Sequence, residues 1–376
     1  FKKLYYFKTI IMFHNENADI DINDCRQLHH FSSITFSNFK KTDVKKELLK
    51  NLINSKIEQS CYWCAELICA GHYIEIWEIL LGFYSKYIHL GNVKISVYLE
   101  MRINNFKDII TNNIDNELQL RNNCNIRKIF CEIICILCIS KRKHSFNNIK
   151  IGEEDFVLLQ LNEKYKAPDT SFANNIILED DPPEVFAVTN EFSYSISNNC
   201  KNSITACYWF EWLVEYEHKC KLNHNKLKCE KRIKIPVDNK YQSDIIWIIW
   251  DAILYESSLT NNLLIQKVIN ALLTIFTLKY SSSCSKKRKY VIYFAISVLC
   301  ENISNDDIIN NSEKEFIQNI IDKINLIYLQ IKENEHNDQF NELEYSNNSN
   351  ANNLDKTIEK LDKINNFDEL FIPRIK

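Results

Sequence analysis

A chain of 376 residues with 45% hydrophobic residues is long enough, and apolar enough, to form two or three packed domains. Its four glycines, Gly71, Gly82, Gly91 and Gly152, stand too far apart for a phosphate-binding loop, which excludes P-loop, Rossmann-type and kinase-type nucleotide enzymes. The formal net charge of −3 provides no overall basic field, so composition does not favour nonspecific nucleic-acid binding.

The first 145 residues are predicted to form an irregular segment followed by a helical domain. Residues 1–40 show no helical period and include an Asn/Asp-rich patch. Apolar residues then recur every three or four positions, which predicts helices over 43–52, 57–70, 73–88, 93–110 and 114–140. Short connections place successive helices antiparallel, so we expect helical domain 1 to span residues 41–145.

The rest of the chain is predicted to contain a second helical domain between two irregular stretches. Residues 146–186 are polar, acidic and proline-bearing, which favours a linker with one short helix or strand near 155–161. Helical spacing returns in domain 2 over 187–335, and its polar, Asn/Glu-rich continuation over 336–353 is predicted to be a disordered linker. A short helix and tail over 354–376 complete a mainly α fold of two antiparallel helical clusters joined by an irregular segment.

The fourteen cysteines are interpreted as reduced thiols of a protein that is not secreted, because the chain shows no secretory signal. Cys124, Cys131, Cys135 and Cys138 recur along one stripe of a predicted helix, where cysteine acts as a small hydrophobe. A straight helix cannot wrap four thiolates around a tetrahedral zinc, so this stripe is expected to pack in a core. No apolar run reaches the length of a membrane span, and none is predicted.

Two short segments that contain tryptophan have similar sequences, and tryptophan is scarce in this chain. The strings Cys-Tyr-Trp at 61–63 and at 207–209 each begin a helical run, and a second Trp beside an acid follows each of them downstream. Aromatic and leucine residues four positions apart usually anchor a helical core, and the alternative is an exposed aromatic platform for a partner protein. The four anchors are Trp63, Trp77, Trp209 and Trp250. The echo leaves open whether the chain contains a true duplication.

The candidate metal ligands lie in a lysine-rich segment at 218–234. Their residue types suit zinc, although their spacing matches no standard zinc motif; they are His218, Cys220, His224 and Cys229. Interleaved cations offer an alternative, a basic loop for nucleic acid or an acidic partner; they are Lys219, Lys221, Lys226, Lys228, Lys231 and Arg232. A second Cys/His group at 61–72 is expected to serve packing. Zinc is therefore an open cofactor hypothesis, and otherwise no cofactor is expected.

Several strings of the chain resemble an uncharacterised helical protein family of giant nucleocytoplasmic large DNA viruses. They are KIEQSCYWCAELICAGH at 56–72, SKYIHLGN at 85–92, DDP at 180–182, NEF at 190–192, ACYW at 206–209 and DIIWIIWD at 244–251. The resemblance spans residues 45–300. It implies a viral protein made in the infected cell's cytoplasm, with a weaker link to capsid-skeleton or minor virion proteins. It transfers no catalytic residue.

Three classes of function follow from these observations. The leading hypothesis is a non-enzymatic helical scaffold or adaptor that acts in virion structure or assembly through contacts with other, viral, proteins, in the viral factory and the virion. The alternative is a nucleic-acid or transcription-associated viral protein that uses the basic Cys/His loop 218–234, with or without zinc. The third is an enzyme whose site is dispersed along the sequence, and we do not expect one.

Overall fold

The computed structural model describes residues 20–112, 117–145, 148–336 and 357–358. Within these ranges the protein is mainly α, which confirms the predicted fold class, and three isolated β-bridges stand in place of strands. The predicted disordered linker at 336–353 and the predicted C-terminal helix at 354–376 fall outside the described residues, except for residues 336 and 357–358.

Thirteen α-helices occur in these described ranges, joined by short 3-10 turns and loops. In chain order they are α1 (Lys41–Ile53), α2 (Ile57–Cys69), α3 (Tyr73–Phe83), α4 (Ile95–Asn112), α5 (Cys124–Ile139), α6 (Leu158–Lys164), α7 (Phe186–Ile196), α8 (Ser203–Leu222), α9 (Ile246–Leu259), α10 (Leu263–Thr277), α11 (Cys284–Lys287), α12 (Lys289–Cys300) and α13 (Asn311–Lys332).

The chain divides into two compact units, and each unit combines segments that are distant in sequence. Unit 1 takes its described residues from 20–77, 109–135 and 315–336, and unit 2 takes them from 78–108 and 136–314. The predicted domains were continuous stretches, at 41–145 and 187–335. Residues 148–186, the described part of the segment predicted to be a linker at 146–186, lie within unit 2.

Unit 1 has a core built around two of the anchor tryptophans. Trp63 of α2 packs edge-on against Phe39, with 5.7 Å between ring centroids, and Trp77 of α3 lies 5.2 Å from the ring of Phe130 on α5. Both tryptophans are buried. Because each aromatic ring removes a large apolar area from water, these contacts help to hold α2 to the segment before α1, and α3 to α5.

A buried polar network fixes the segment that precedes α1. The Arg26 guanidinium pairs with Asp24 at 2.5 Å and donates to the carbonyl of Phe36 at 2.9 Å. Glu66 of α2 is fully buried and accepts a hydrogen bond from the Ser37 backbone amide at 3.1 Å. Burial raises the pKa of Glu66, although these hydrogen bonds oppose the shift. Side chains therefore hold the irregular segment in place, together with backbone pairing such as the bridge between Ile34 and Lys40.

Two helix ends in unit 1 follow from individual residues. After α2, Gly71 adopts φ +77°, and its N–H donates to the Ile68 carbonyl at 3.0 Å, which ends the helix as a glycine C-cap does. The helix predicted over 114–140 is wrong in its first part, because Glu117–Asn122 forms a 3-10 helix. Asn123 then caps α5, its side chain accepting from the Asn125 amide at 3.0 Å.

Unit 2 has its own aromatic core, which includes the other two anchor tryptophans. Trp209 of α8 stacks on Tyr165 at 5.6 Å, and Trp250 of α9 lies 5.3 Å from the ring of Phe276 on α10. Both tryptophans have 0% exposed area. Helices α7, α8, α9, α10 and α12 pack around these rings. In the part of the chain that the structure describes, no helix is long and apolar enough to cross a membrane.

Candidate contact surface on unit 2

The four predicted zinc ligands are not gathered into one site. His218 and Cys220 lie on α8, and His224 is exposed in the turn that follows, with φ +60°. Cys229 is buried, and its thiol donates to the Asp244 carbonyl at 3.3 Å. Across the described ranges, no three His, Cys, Asp or Glu side chains are grouped so that they could hold a metal ion.

The loop after α8 is anchored by residues that recur every third position. Cys229, Arg232 and Ile235 are buried. The Cys229 amide donates to the Ser243 carbonyl at 3.1 Å, and the Arg232 amide donates to the Gln242 carbonyl at 2.9 Å. Buried side chains and backbone pairing therefore hold this loop against unit 2. The residues between the anchors face solvent, so the loop presents a fixed surface.

Arg232 does not belong to the exposed basic patch in which the sequence placed it. Its side chain is only 4% exposed. Its Nη2 pairs with Asp181 at 2.7 Å, its Nε pairs with Asp251 at 2.6 Å, and its Nη1 donates to the Glu230 carbonyl at 2.9 Å. A buried guanidinium needs such partners, because an unpaired buried charge is very costly. Arg232 therefore joins the segment before α7 to α9.

The pKa values of Asp181 and Asp251, the two carboxyl groups around Arg232, shift in opposite directions. Burial by itself would raise the pKa of Asp181, but hydrogen bonds from Arg232 and from two backbone amides bring it below its ordinary value. Burial keeps the pKa of Asp251 above its ordinary value, although Arg232 opposes the shift. Asp181 accepts two guanidinium bonds and Asp251 accepts one, which explains why the compensation is larger at Asp181.

Four lysines of the predicted basic patch are exposed in the structure. They are Lys221, Lys226, Lys228 and Lys231. Lys219 is engaged elsewhere, since its ammonium pairs with Glu153 and lies 4.1 Å from the ring centroid of Phe156. We call the four exposed lysines the lysine surface.

A half-buried carboxyl group beside the lysine surface affects its charge. Burial, with a smaller contribution from Asp244, raises the pKa of Glu217 on α8 to about 7, although Lys221 opposes the shift. At neutral pH this group is therefore protonated in a substantial fraction of molecules. A protonated carboxyl group neutralises no lysine, so the lysine surface keeps more of its positive charge.

Three consecutive apolar side chains are exposed at the start of α6. Val157, Leu158 and Leu159 are 48%, 68% and 78% exposed. We call them the apolar edge. The residues just before them are fixed to α8: the indole N–H of Trp212 donates to the Asp155 carbonyl at 2.8 Å, and the Phe156 ring lies 5.0 Å from that of Trp212.

The elements that carry the apolar edge and the lysine surface both meet α8. Phe156, which directly precedes the edge, contacts Trp212 and Tyr216, and the Lys219 ammonium lies over its ring. The lysine surface begins two residues after Lys219, at Lys221, and continues into the loop. Unit 2 therefore exposes an apolar group and a basic group of side chains on elements that contact or continue α8.

Sequence reasoning missed the apolar edge. It predicted a helix or strand near 155–161, but it did not predict which side chains that element would expose. The available signal was the unbroken apolar run from 156 to 159, which is too apolar for one face of a short solvated helix. The four tryptophans, in contrast, lie in the two cores and do not contribute to a surface.

Comparison with models of protein families, with curated proteins and with solved structures finds no match to this chain.

Proposed function

We propose that this protein is a non-enzymatic helical scaffold or adaptor of a large DNA virus, acting in virion structure or assembly through protein contacts. The observation that carries the proposal is the exposure of two groups of side chains on unit 2, the apolar edge and the lysine surface, on elements that contact or continue α8. The viral setting rests on the sequence strings that resemble a family of giant DNA viruses. Host cytoplasm, the viral factory and the virion are the corresponding locations.

The chemistry of the surface specifies the partner. Contiguous exposed apolar side chains are typical of protein contact sites, and burying them favours association because it removes apolar area from water. The lysines would speed encounter with an acidic partner and fix its orientation. We therefore expect a partner segment that carries apolar residues next to Asp or Glu, such as an acidic amphipathic helix.

The test is crosslinking mass spectrometry in cells that produce the protein, with the full-length chain and its variants. Leu158→Glu/Leu159→Glu and Lys226→Glu/Lys228→Glu/Lys231→Glu should each reduce crosslinks from unit 2 to the same partner. The leucine variant should weaken binding by roughly tenfold to a hundredfold, because it removes apolar burial and adds charge to the interface.

Two matched variants control for nonspecific effects. Leu259 and Leu263 are also exposed in unit 2, at 54% and 70%, so Leu259→Glu/Leu263→Glu should leave the crosslinks unchanged. The exposed lysines Lys201, Lys267 and Lys314 provide the matched charge reversal. Equal crosslinking by all four variants and the unaltered protein would overturn the proposal.

Nucleic-acid binding is the second candidate, and the anchored loop favours it. Lys228 and Lys231 are exposed beside the buried anchors Cys229 and Arg232, as a phosphate-contacting surface requires. In this case the lysine variant alone should lose binding to DNA or RNA, with a salt dependence that falls by about one unit of slope for each lost phosphate contact. The leucine variant should then bind like the unaltered protein.

A further inference from the structure

Three thiols meet inside unit 1, between α2 and α5. The sulfur of Cys61 on α2 lies 3.9 Å from that of Cys131 on α5, although the two residues are 70 positions apart. Each side chain is 2% exposed. Cys135 follows Cys131 by one helical turn and hydrogen-bonds with the same sulfurs. The prediction that the cysteine stripe packs in a core explains why these side chains are buried. It does not explain why the sulfurs of Cys61 and Cys131 lie so close together.

A small cavity lies beside the thiol pair. A cavity of about 10 Å³ is lined by both cysteines, by Cys64, and by Arg127 and Tyr328. A disulfide bond is about 2.05 Å long, so the two sulfurs must approach by roughly 2 Å. A side chain in a fully packed core could not move that far without strain, whereas a side chain beside a cavity can rotate.

We propose that Cys61 and Cys131 form a disulfide when the protein meets a peroxide-class oxidant, which joins α2 to α5 covalently. The inference does not depend on the proposed function. The Cys131 thiolate attacks one peroxide oxygen, which breaks the O–O bond and, with a proton from solvent, releases the other oxygen as a first water. Cys61 then attacks the sulfenic sulfur of Cys131, which forms the S–S bond and releases a second water that carries the Cys61 proton. Two thiols are oxidised, and one hydrogen peroxide is reduced to two waters.

The surroundings assign different roles to the two cysteines. Hydrogen bonds from Cys135 and Cys61 lower the pKa of Cys131, because they stabilise its thiolate. Hydrogen bonding with Cys131 and Cys135, together with burial, raises the pKa of Cys61. Since the thiolate is the reactive form, Cys131 reacts with peroxide and Cys61 resolves the product. Local opening of the unit admits the oxidant to these buried sulfurs.

Cys135 is a poor disulfide partner for Cys131, despite its proximity. Residues four positions apart on a helix have β-carbons about 5–6 Å apart. A disulfide needs about 3.5–4.5 Å between them. Cys61, whose sulfur lies 3.9 Å from that of Cys131 on a different helix, is therefore the better partner.

The test is disulfide mapping after oxidation of the reduced full-length protein. Hydrogen peroxide is added, free thiols are blocked, and non-reduced proteolytic peptides are identified by mass spectrometry. The expected product is a linked peptide containing Cys61 and Cys131, two hydrogen atoms lighter than its parts and separated again by dithiothreitol. Because the bond spans a long loop, Tm should rise by a few degrees on oxidation and fall again on reduction.

The variants separate pairing from general thiol reactivity. Cys131→Ala and Cys61→Ala should each abolish the linked peptide. Cys64→Ala is the matched control, because Cys64 lines the same cavity on the same helix, and it should leave the link intact. Mapping of the unaltered protein decides the question even if a variant fails to fold. A link from Cys131 to any other cysteine, or oxidation of exposed Cys25 and Cys124 with no link at Cys61, would overturn the proposal.

Discussion

The guanidinium of Arg232 lies between the carboxylates of Asp181 and Asp251, while Lys231 beside it faces solvent. Two neighbouring cations therefore have different roles, one in holding loops to α9 and one in the lysine surface. Residue type predicts positive charge at both positions, but burial depends on contacts with residues 181 and 251, which sequence spacing does not reveal. For this reason the sequence predicted the lysines of the patch and misplaced the arginine.

Replacing Arg232 by Met should destabilise the protein by about 3–5 kcal/mol, because it leaves two carboxylates without their buried partner. The free energy of unfolding in urea measures this loss. Lys231→Met is the control and should change stability by no more than about 0.5 kcal/mol, since Lys231 is exposed. Similar effects of the two substitutions would contradict the assignment of Arg232 as a buried ion-pair centre.

The stabilisation that the ion pair of Arg232 and Asp181 provides depends on pH and is lost in acid. The pKa of Asp181 in the folded protein lies below its ordinary value, so its contribution is present above about pH 4, the usual pKa of an unfolded aspartate. It is lost as pH falls through the folded value. The difference in stability between the unaltered protein and Arg232→Met should therefore narrow as the solution is acidified toward and below pH 4.

Helix positions in this protein are easier to predict than helix ends. The period of apolar residues placed α2 over 57–70, close to its observed range of Ile57–Cys69, and a glycine marked its end. Apolar spacing also continued through 114–140, where Asn123 starts a new helix by capping it. A cap acts through one side chain, which the average over a helical window does not resolve.

The two glycines nearest to helix ends should respond oppositely to alanine. Gly71 has φ +77°, and a β-carbon there would lie 3.0 Å from Leu28 Cδ1, so Gly71→Ala should cost about 1–2 kcal/mol. Gly82 lies within α3 with no atom within 4 Å of an added β-carbon, so Gly82→Ala should add about 0.5–1 kcal/mol. Urea unfolding distinguishes the two signs. If Gly71→Ala left the free energy of unfolding unchanged, the assignment of Gly71 as the residue that ends α2 would be contradicted.

At the scale of the whole molecule, the class of fold was predictable and the assembly of its units was not. Scarce glycine and helical spacing indicate a mainly α chain, because both are local properties of the sequence. The units combine segments from far apart, such as 20–77 with 315–336 in unit 1. Pairing between such segments depends on tertiary contacts that no local pattern encodes. The apolar edge was missed for the same reason.

The adaptor hypothesis relates the exposed side chains of the protein to its assembly with a partner. Trp63 and Trp209, for which the sequence predicted core packing with an exposed platform as the alternative, lie in the cores. Leu158, Leu159 and the lysine surface remain available to a partner. If the protein acts through these side chains, the amount of it in an assembly should depend on how tightly they bind the partner.

Quantitative mass spectrometry of purified virus particles tests this account most directly. Particles are prepared from cells that produce either the unaltered protein or Leu158→Glu/Leu159→Glu, and Leu259→Glu/Leu263→Glu serves as the matched control. We expect the unaltered protein and the control at equal abundance in particles, and the Leu158/Leu159 variant depleted by roughly tenfold or more. Absence of the unaltered protein from particles, or equal incorporation of all three proteins, would contradict the account.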